Sequence, residues 1–163
     1  MAKSNTISLR NFHELDAILA SAFRKRDAGK VLFGAVNDGA KVVRKSIRQA
    51  TPKSKGKKTA GGGRKVQPNG TLRRSVKSGL RRKGYAKDPN LFAAAVFTDR
   101  DFSYGKADGW YAHFVNFGTK KGINAVPFME NGFNAAKKAA ELKIKFGIYT
   151  RTKQLQQKIN MLR

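Results

Sequence analysis

The sequence predicts a small α+β domain, with an antiparallel sheet of three to four strands packed against two N-terminal helices and one long C-terminal helix. Apolar residues recur every three or four positions before Pro52 and after Pro127, whereas they alternate in the segments between. At 163 residues, 40% of them hydrophobic, the chain suits one modest core. We therefore assign residues 1–148 to one domain with a flexible basic loop at 53–70, and residues 149–163 to a basic tail or helix.

Two amphipathic helices are predicted first, over Ser8–Arg26 and Val31–Gln49, each with an apolar stripe at helical spacing. Gly29 is expected to separate them. Pro52 follows the second helix, because a residue before proline is pushed out of the helical region.

The C-terminal part is predicted to be helical over Pro127–Phe146, since proline suits the first turn of a helix. Gly147 is expected to interrupt this helix. The segment Thr150–Arg163 then predicts a further basic helix with a narrow apolar stripe.

Strands are predicted over Thr71–Leu80, Leu91–Thr98 and Trp110–Phe117. In the last segment, successive side chains would point to opposite faces of the strand, and both faces would be largely apolar. We therefore expect it to be covered on one side by the core of the domain and on the other by a neighbouring subunit. Gly118 supplies a turn after it.

The charge predicts a polyanionic partner. The formal net charge is +25, and the stretch between Asp38 and Asp88 contains 17 lysines and arginines and no acidic residue. Nucleic acid is the leading candidate, because neutralising phosphates releases counterions and gives affinity without base reading. A solvated basic loop without a partner is the alternative. The cations predicted to face double-stranded DNA are Lys53, Lys55, Lys57, Lys58, Arg64, Lys65, Arg73, Arg74, Arg81 and Arg82.

Catalytic patterns are missing from the sequence, so we expect no enzyme, no cofactor and no metal site. The pair Asp99 and Asp101 could share Mg²⁺ as in a nuclease, but no further ligand falls into register with it. His13 is expected to be solvated. His113 is either a packed, hydrogen-bonded residue or a pH-sensitive interface group.

Compartment and solubility follow from the same composition. The chain has no cysteine, which excludes disulfides and thiolate metal sites. No apolar run approaches the roughly 18 residues of a membrane helix, and the N-terminal residues lack the apolar core of a signal peptide. We expect no membrane partner and synthesis in a reducing cytoplasm.

Four short motifs in a fixed order carry a resemblance to a known family. They are Ala50–Pro52, Gly70–Val76, the segment Tyr-Ala-His-Phe-Val-Asn-Phe-Gly-Thr at Tyr111–Thr119, and Ala-Val-Pro-Phe-Met at Ala125–Met129. Over roughly Val31–Ile148 the chain resembles the tail-completion (head–tail joining, neck) proteins of long-tailed phages.

The resemblance implies a structural virion protein that completes the tail and joins it to the head, as a hexameric ring or connector around the DNA channel. Its partners would be other neck and tail proteins: a head–tail adaptor or stopper, and a tail terminator or tube. It also implies packing or subunit contact for Tyr111, Phe114, Phe117, Pro127 and Phe128. At a position that is often acidic in the family, this chain has Asn116.

Two rival functions remain from the residues alone. One is a monomeric or dimeric cellular protein that binds nucleic acid without sequence preference, such as a nucleoid or ribosome-associated factor. The other, weaker rival is a nuclease that uses Asp99 and Asp101.

Overall fold

The computed structural model describes residues 25–53, 70–81, 93–99, 109, 111–120, 122 and 124–161. Helices dominate these residues, and a small sheet accompanies them, so the α+β class is confirmed in its coarse form. The elements are α1 (Lys25–Ala50), α2 (Thr71–Ser75), β1 (Val76–Arg81), β2 (Ala93–Thr98), α3 (Ala112–Phe117) and α4 (Phe128–Met161).

Helix α1 confirms the predicted helix over Val31–Gln49 and begins earlier, at Lys25. The predicted stop at Gly29 is wrong, because α1 runs through this residue. A glycine inside a helix costs about 1 kcal/mol relative to alanine, which a long, well-packed helix tolerates. Residues 8–24 of the predicted helix over Ser8–Arg26 lie outside the described residues.

The sheet is smaller than predicted: within the described residues it has two antiparallel strands, β1 and β2. The predicted strand over Leu91–Thr98 is confirmed in its described part, β2. The predicted strand over Thr71–Leu80 is wrong in its first half, which forms the short helix α2 before β1 begins. Gly70 starts α2 with a φ of 80°, a left-handed conformation that favours glycine.

The predicted strand over Trp110–Phe117 is wrong, because most of this segment forms α3. Val115 N–H donates to the carbonyl of Tyr111 at 3.1 Å, and Gly118 N–H donates to the carbonyl of Phe114 at 2.8 Å. Apolar residues occupy both faces of the predicted strand, so the segment fits a short helix as well as a strand. Its alternation therefore could not discriminate between the two.

Helix α4 is a single helix of 34 residues from Phe128 to Met161. The predicted interruption at Gly147 is wrong, and the predicted further helix from Thr150 is the continuation of α4. A Cβ atom at Gly147 would lie 3.3 Å from the Cβ of Ala35 in α1. This glycine therefore permits a close contact between two helices rather than ending one of them.

The chain divides into two compact units. The first consists of residues 1–42, 79–95 and 137–163, and the second of residues 43–78 and 96–136. Helices α1 and α4 and the two strands each contribute residues to both units.

The core of the first unit lies between α1 and α4. Its buried side chains are Val31, Ala35, Ile144 and Ile148, with Leu32 and Leu155 packed against them. A Cβ atom at Gly39 would lie 2.6 Å from Cδ1 of Ile144. One at Gly34 would lie 2.8 Å from Nε of Arg151. The two helices thus approach so closely at these glycines that a methyl group does not fit without displacement.

An ion pair joins the same two helices. Arg151 Nη2 donates to Asp38 Oδ2 at 2.5 Å, and Lys41 Nζ donates to Asp38 Oδ1 at 3.1 Å. Burial raises the pKa of Asp38, but the hydrogen bonds and charges of Arg151 and Lys41 outweigh burial, so the pKa lies below its ordinary value. Asp38 therefore adds stability above its unfolded-state pKa, and this stability is lost as the pH falls through the folded-state pKa.

The core of the second unit is built around Phe128, whose side chain is completely buried at the start of α4. The other buried side chains of this unit are Val43, Ile47, Thr51, Thr71, Leu72, Ser75, Val76, Ala112 and Ala136. A Cβ atom at Gly132 would lie 2.8 Å from the backbone nitrogen of Ile47. Helices α1 and α4 therefore also meet at backbone distance in this unit.

The free energy of unfolding at acidic pH tests the ion pair between Asp38 and Arg151. We expect Asp38→Asn to lower the free energy of unfolding by about 1 kcal/mol at neutral pH, as for a partly buried, hydrogen-bonded pair. We also expect it to flatten the fall in stability on acidification. Urea denaturation at a series of pH values measures both effects. Glu141→Gln is the control, because it removes an exposed pair with Lys145 within one helix; an unchanged acid slope in Asp38→Asn would contradict the assignment.

Candidate functional site

The structure describes part of the predicted DNA-facing set. Lys53 and Arg74 are exposed, Arg73 is half-buried, and Arg81 is the last residue of β1. The remaining members lie outside the described residues: Lys55, Lys57, Lys58, Arg64, Lys65 and Arg82. The described members belong to the second unit except for Arg81.

Arg48 of α1 connects this helix to the turn between α2 and β1. Its Nε donates to the carbonyl of Val76 at 3.0 Å, and its Nη2 donates to the carbonyl of Arg74 at 3.4 Å. Both carbonyl groups lie at the C-terminal end of α2, where the last carbonyls of a helix have no hydrogen-bond donor within the helix. Arg48 thus fixes the backbone from which the side chains of Arg73 and Arg74 project.

Arg48 is half-buried and is repelled by the positive charges of Arg44 and Arg73. Burial lowers the pKa of Arg48, and the positive charges of Arg44 and Arg73 lower it further. We call Arg44, Arg48, Arg73 and Arg74 the basic cluster. Because the fold holds like charges together, an anion that enters relieves their repulsion, and the cluster is suited to bind phosphate groups.

Arg44 and Arg48 were not among the cations predicted from the sequence to face DNA. A usable signal was present: they are four residues apart on the basic side of the predicted helix over Val31–Gln49, so they share one helix face. What the spacing could not show is that this face meets the end of α2.

The candidate metal pair is only half described. The carboxylate of Asp99 forms an ion pair with Lys77, and its backbone N–H donates to the carbonyl of Ser75 at 2.8 Å. Asp101 lies outside the described residues. In the described part of the chain, no group of three histidines, aspartates or glutamates could hold a metal ion. Asp99, the residue after β2, thus joins the end of this strand to Lys77 of β1.

The residues predicted for packing or subunit contact divide into two kinds. Phe128 is buried and belongs to the core, whereas Phe114 is 41% exposed and Phe117 is 64% exposed. The exposed ring of His113 lies 4.8 Å from that of Phe117, centroid to centroid, and 6.1 Å from that of Phe114. We call His113, Phe114 and Phe117 the aromatic patch. Tyr111, two residues before His113 in the sequence, is half-buried.

The segment after the aromatic patch extends its apolar surface. Pro127 is exposed, and so is Val126 at 37%. The backbone N–H of Val126 donates to the carbonyl of Val115 at 2.9 Å, which holds this segment against α3. Val126 was not among the residues predicted from the sequence, whereas His113 was considered there as a possible interface group.

Two local devices hold the aromatic patch in place. Gly118 ends α3 with φ 75° and ψ 179°, a combination essentially restricted to glycine, which explains the Phe-Gly-Thr turn. Asn116 Oδ1 accepts a hydrogen bond of 3.1 Å from the backbone N–H of Met129 in the first turn of α4. Pro127 precedes that helix and has no side-chain acceptor, so Asn116 supplies the capping group from another element.

Helices of the described segments are too short or too polar to cross a membrane. The site as described is thus a cationic surface beside a helix junction together with an exposed cluster of aromatic rings. Both are surface features of the second unit.

A comparison with protein families identifies the family of the chain. Residues 19–118, which are 100 of its 163 residues, match the family model described as "Bacteriophage HK97-gp10, putative tail-component". The chain belongs to this HK97-gp10-like family of phage tail components. The resemblance to phage tail and neck proteins is therefore confirmed. The matched range ends at Gly118, so α4 lies beyond it.

Searches of curated proteins and of solved structures gave no match. The family assignment therefore depends on the family model together with the motifs between Ala50 and Thr119.

The cap by Asn116 can be tested directly. We expect Asn116→Ala to lower the free energy of unfolding by about 1 kcal/mol, because the N–H of Met129 loses its partner. Asn116→Asp should retain or increase stability by about 0.3–1 kcal/mol, since a carboxylate at a helix N-terminus meets the positive end of the dipole. Denaturant unfolding measures both. Asn134→Ala, at an exposed position inside α4, is the control and should be neutral or slightly stabilising.

Proposed function

We propose that this chain is a structural, non-enzymatic subunit of the phage neck, which completes the tail and joins it to the head as a homo-oligomeric ring around the DNA. The observation that carries the proposal is membership of a phage tail-component family combined with an aromatic patch exposed on a highly basic chain. Other neck and tail proteins are its partners, and the virion neck is its location.

The aromatic patch supports self-association. Exposed clusters of large apolar side chains on small proteins usually mark interaction sites. In a ring, each subunit presents one surface to its neighbour and a different surface to the neighbour on the other side. Phe117, at 64% exposure, is the anchor of such a contact, because aromatic residues dominate the energy of protein interfaces.

The basic cluster supports contact with DNA. Lysine and arginine contacts to phosphates carry no sequence information, so they hold a duplex without fixing its register. A ring multiplies such contacts around one axis, which suits a channel through which a genome passes. Arg73 and Arg74, with the loop cations after Pro52, are assigned to this role.

Self-association is tested by mass. We expect the purified chain to form a closed oligomer in multi-angle light scattering. Phe117→Ser should raise the dissociation constant of the oligomer by at least about tenfold, because burying a phenylalanine side chain is worth about 1.5–3 kcal/mol. Lys120→Ser, at an exposed neighbouring position, is the control and should leave the mass unchanged. A wild-type monomer at high concentration would refute the ring and favour the cellular nucleic-acid-binding alternative.

DNA contact is tested by the salt dependence of binding. We expect Arg73→Gln with Arg74→Gln to reduce the slope of log K against log salt by about 1.8, since each phosphate contact contributes about 0.9. Fluorescence anisotropy with a labelled duplex measures the slope. Lys137→Gln with Lys158→Gln removes the same charge from exposed positions of α4 and should leave the slope nearly unchanged. An equal reduction of the slope in the two double variants would show an effect of net charge and would exclude a localised DNA site.

A further inference from the structure

Helix α4 carries apolar side chains on two opposite sides within the first unit. One side is covered by α1 through Ile144 and Ile148. On the other side, Leu142, Phe146 and Tyr149 are 66%, 63% and 65% exposed, respectively. A helix of a soluble domain ordinarily places such residues along a single buried stripe. The second stripe therefore requires an explanation of its own.

The exposed stripe has the spacing of a coiled-coil seam. Ala139, Leu142, Phe146, Tyr149 and Lys153 are separated alternately by three and four residues, and all five are exposed. This alternation keeps residues on one line that faces a partner helix. We call these five residues the α4 seam. It extends for about 21 Å along the helix, at 1.5 Å per residue.

The charges beside the seam identify its partner. Lys138, Lys143 and Lys145 are exposed and occupy the positions that flank a coiled-coil seam. The ammonium group of Lys143 lies 5.9 Å from the centre of the Phe146 ring, so cation and seam form one surface. We infer that the α4 seam docks an acidic amphipathic helix of another protein.

A second copy of the chain does not fit this surface. Two α4 seams placed together would bring the flanking lysines of both helices into proximity, and like charges at these positions oppose pairing. Lys145 is partly compensated by Glu141 at 3.0 Å, but Lys138 and Lys143 form no ion pair with an acidic residue in the part of the chain that the structure describes.

Nucleic acid fits the seam less well than a helix does. Phosphates would meet the flanking lysines and Lys153 at the end of the seam, but the other four seam residues are uncharged: Ala139, Leu142, Phe146 and Tyr149. Alanine and leucine neither stack on bases nor bind phosphate, whereas they pack well in the seam between two helices. The aliphatic members of the line therefore favour a protein partner.

This inference goes beyond the proposed ring. The seam lies in the first unit and outside the residues 19–118 that match the family model, whereas the aromatic patch lies in the second unit. Docking at the seam would be contact between unlike proteins. Its failure would leave the self-association of the chain untouched, because Phe117→Ser and Phe146→Ser act on different surfaces.

A designed peptide tests the docking directly. The probe is a fluorescein-labelled helical peptide of four heptads with leucine at the seam positions and glutamate at the flanking positions. Repulsion between glutamates keeps it from pairing with itself. Two control peptides carry lysine at the flanking positions or serine at the seam positions. With the full-length chain, anisotropy should show binding of the glutamate–leucine peptide at least about tenfold tighter than of either control.

Variants of the chain locate the binding site. Phe146→Ser should weaken the glutamate–leucine peptide at least about tenfold. Lys138→Glu with Lys143→Glu should reverse the preference, so that the lysine peptide binds better. Lys137→Ser is the matched control, because this exposed residue lies half a turn around the helix from Phe146.

Four results would overturn the inference. The first is equal binding of all three peptides, or no binding. The second is a loss of DNA affinity in Phe146→Ser that matches its loss of peptide affinity. The third is a smaller oligomeric mass of Phe146→Ser, which would assign the seam to a second copy. The fourth is a lower melting temperature of Phe146→Ser without peptide, which would show that the chain itself covers the seam.

Discussion

The excess of positive charge is the constraint on which the rest of the structure depends. With 35 lysines and arginines and ten acidic residues, the folded chain must hold cations close together. Two of the described carboxylates lie where elements meet: Asp38 joins α1 to Arg151 of α4, and Asp99 joins the end of β2 to Lys77 of β1. Arg48 is instead accommodated by backbone carbonyls, which leaves its neighbours available for an anion.

The surfaces that result serve different chemistries in the two units. The second unit presents the basic cluster and the aromatic patch, which suit phosphate and a neighbouring subunit. The first unit presents the α4 seam, whose lysines and apolar line suit an acidic helix. The family model accounts for the part up to Gly118, and α4 adds a surface beyond it.

The sequence predicted those parts of the fold that local patterns determine. Helix α1 follows from its helical periodicity, strand β2 from a short continuous apolar run, and the family from short motifs. Helix α3 was missed because its segment is apolar on both sides. The continuity of α4 through Gly147 depends on Ala35, which is far away in the sequence. Phe128 and Phe117 belong to one predicted set, but only tertiary packing decides that the first is buried and the second exposed.

The contact of Arg151 with two glycines restricts how this sequence can change. A Cβ atom at Gly34 would lie 2.8 Å from its Nε, and one at Gly147 would lie 2.9 Å from its Nη1. The planar guanidinium therefore occupies a slot whose two walls are bare backbone. Alanine at either wall displaces the guanidinium and so weakens its hydrogen bonds to Asp38 and to the carbonyl of Gly147. The effects of substitutions at Gly34, Gly147 and Arg151 are therefore not expected to be additive.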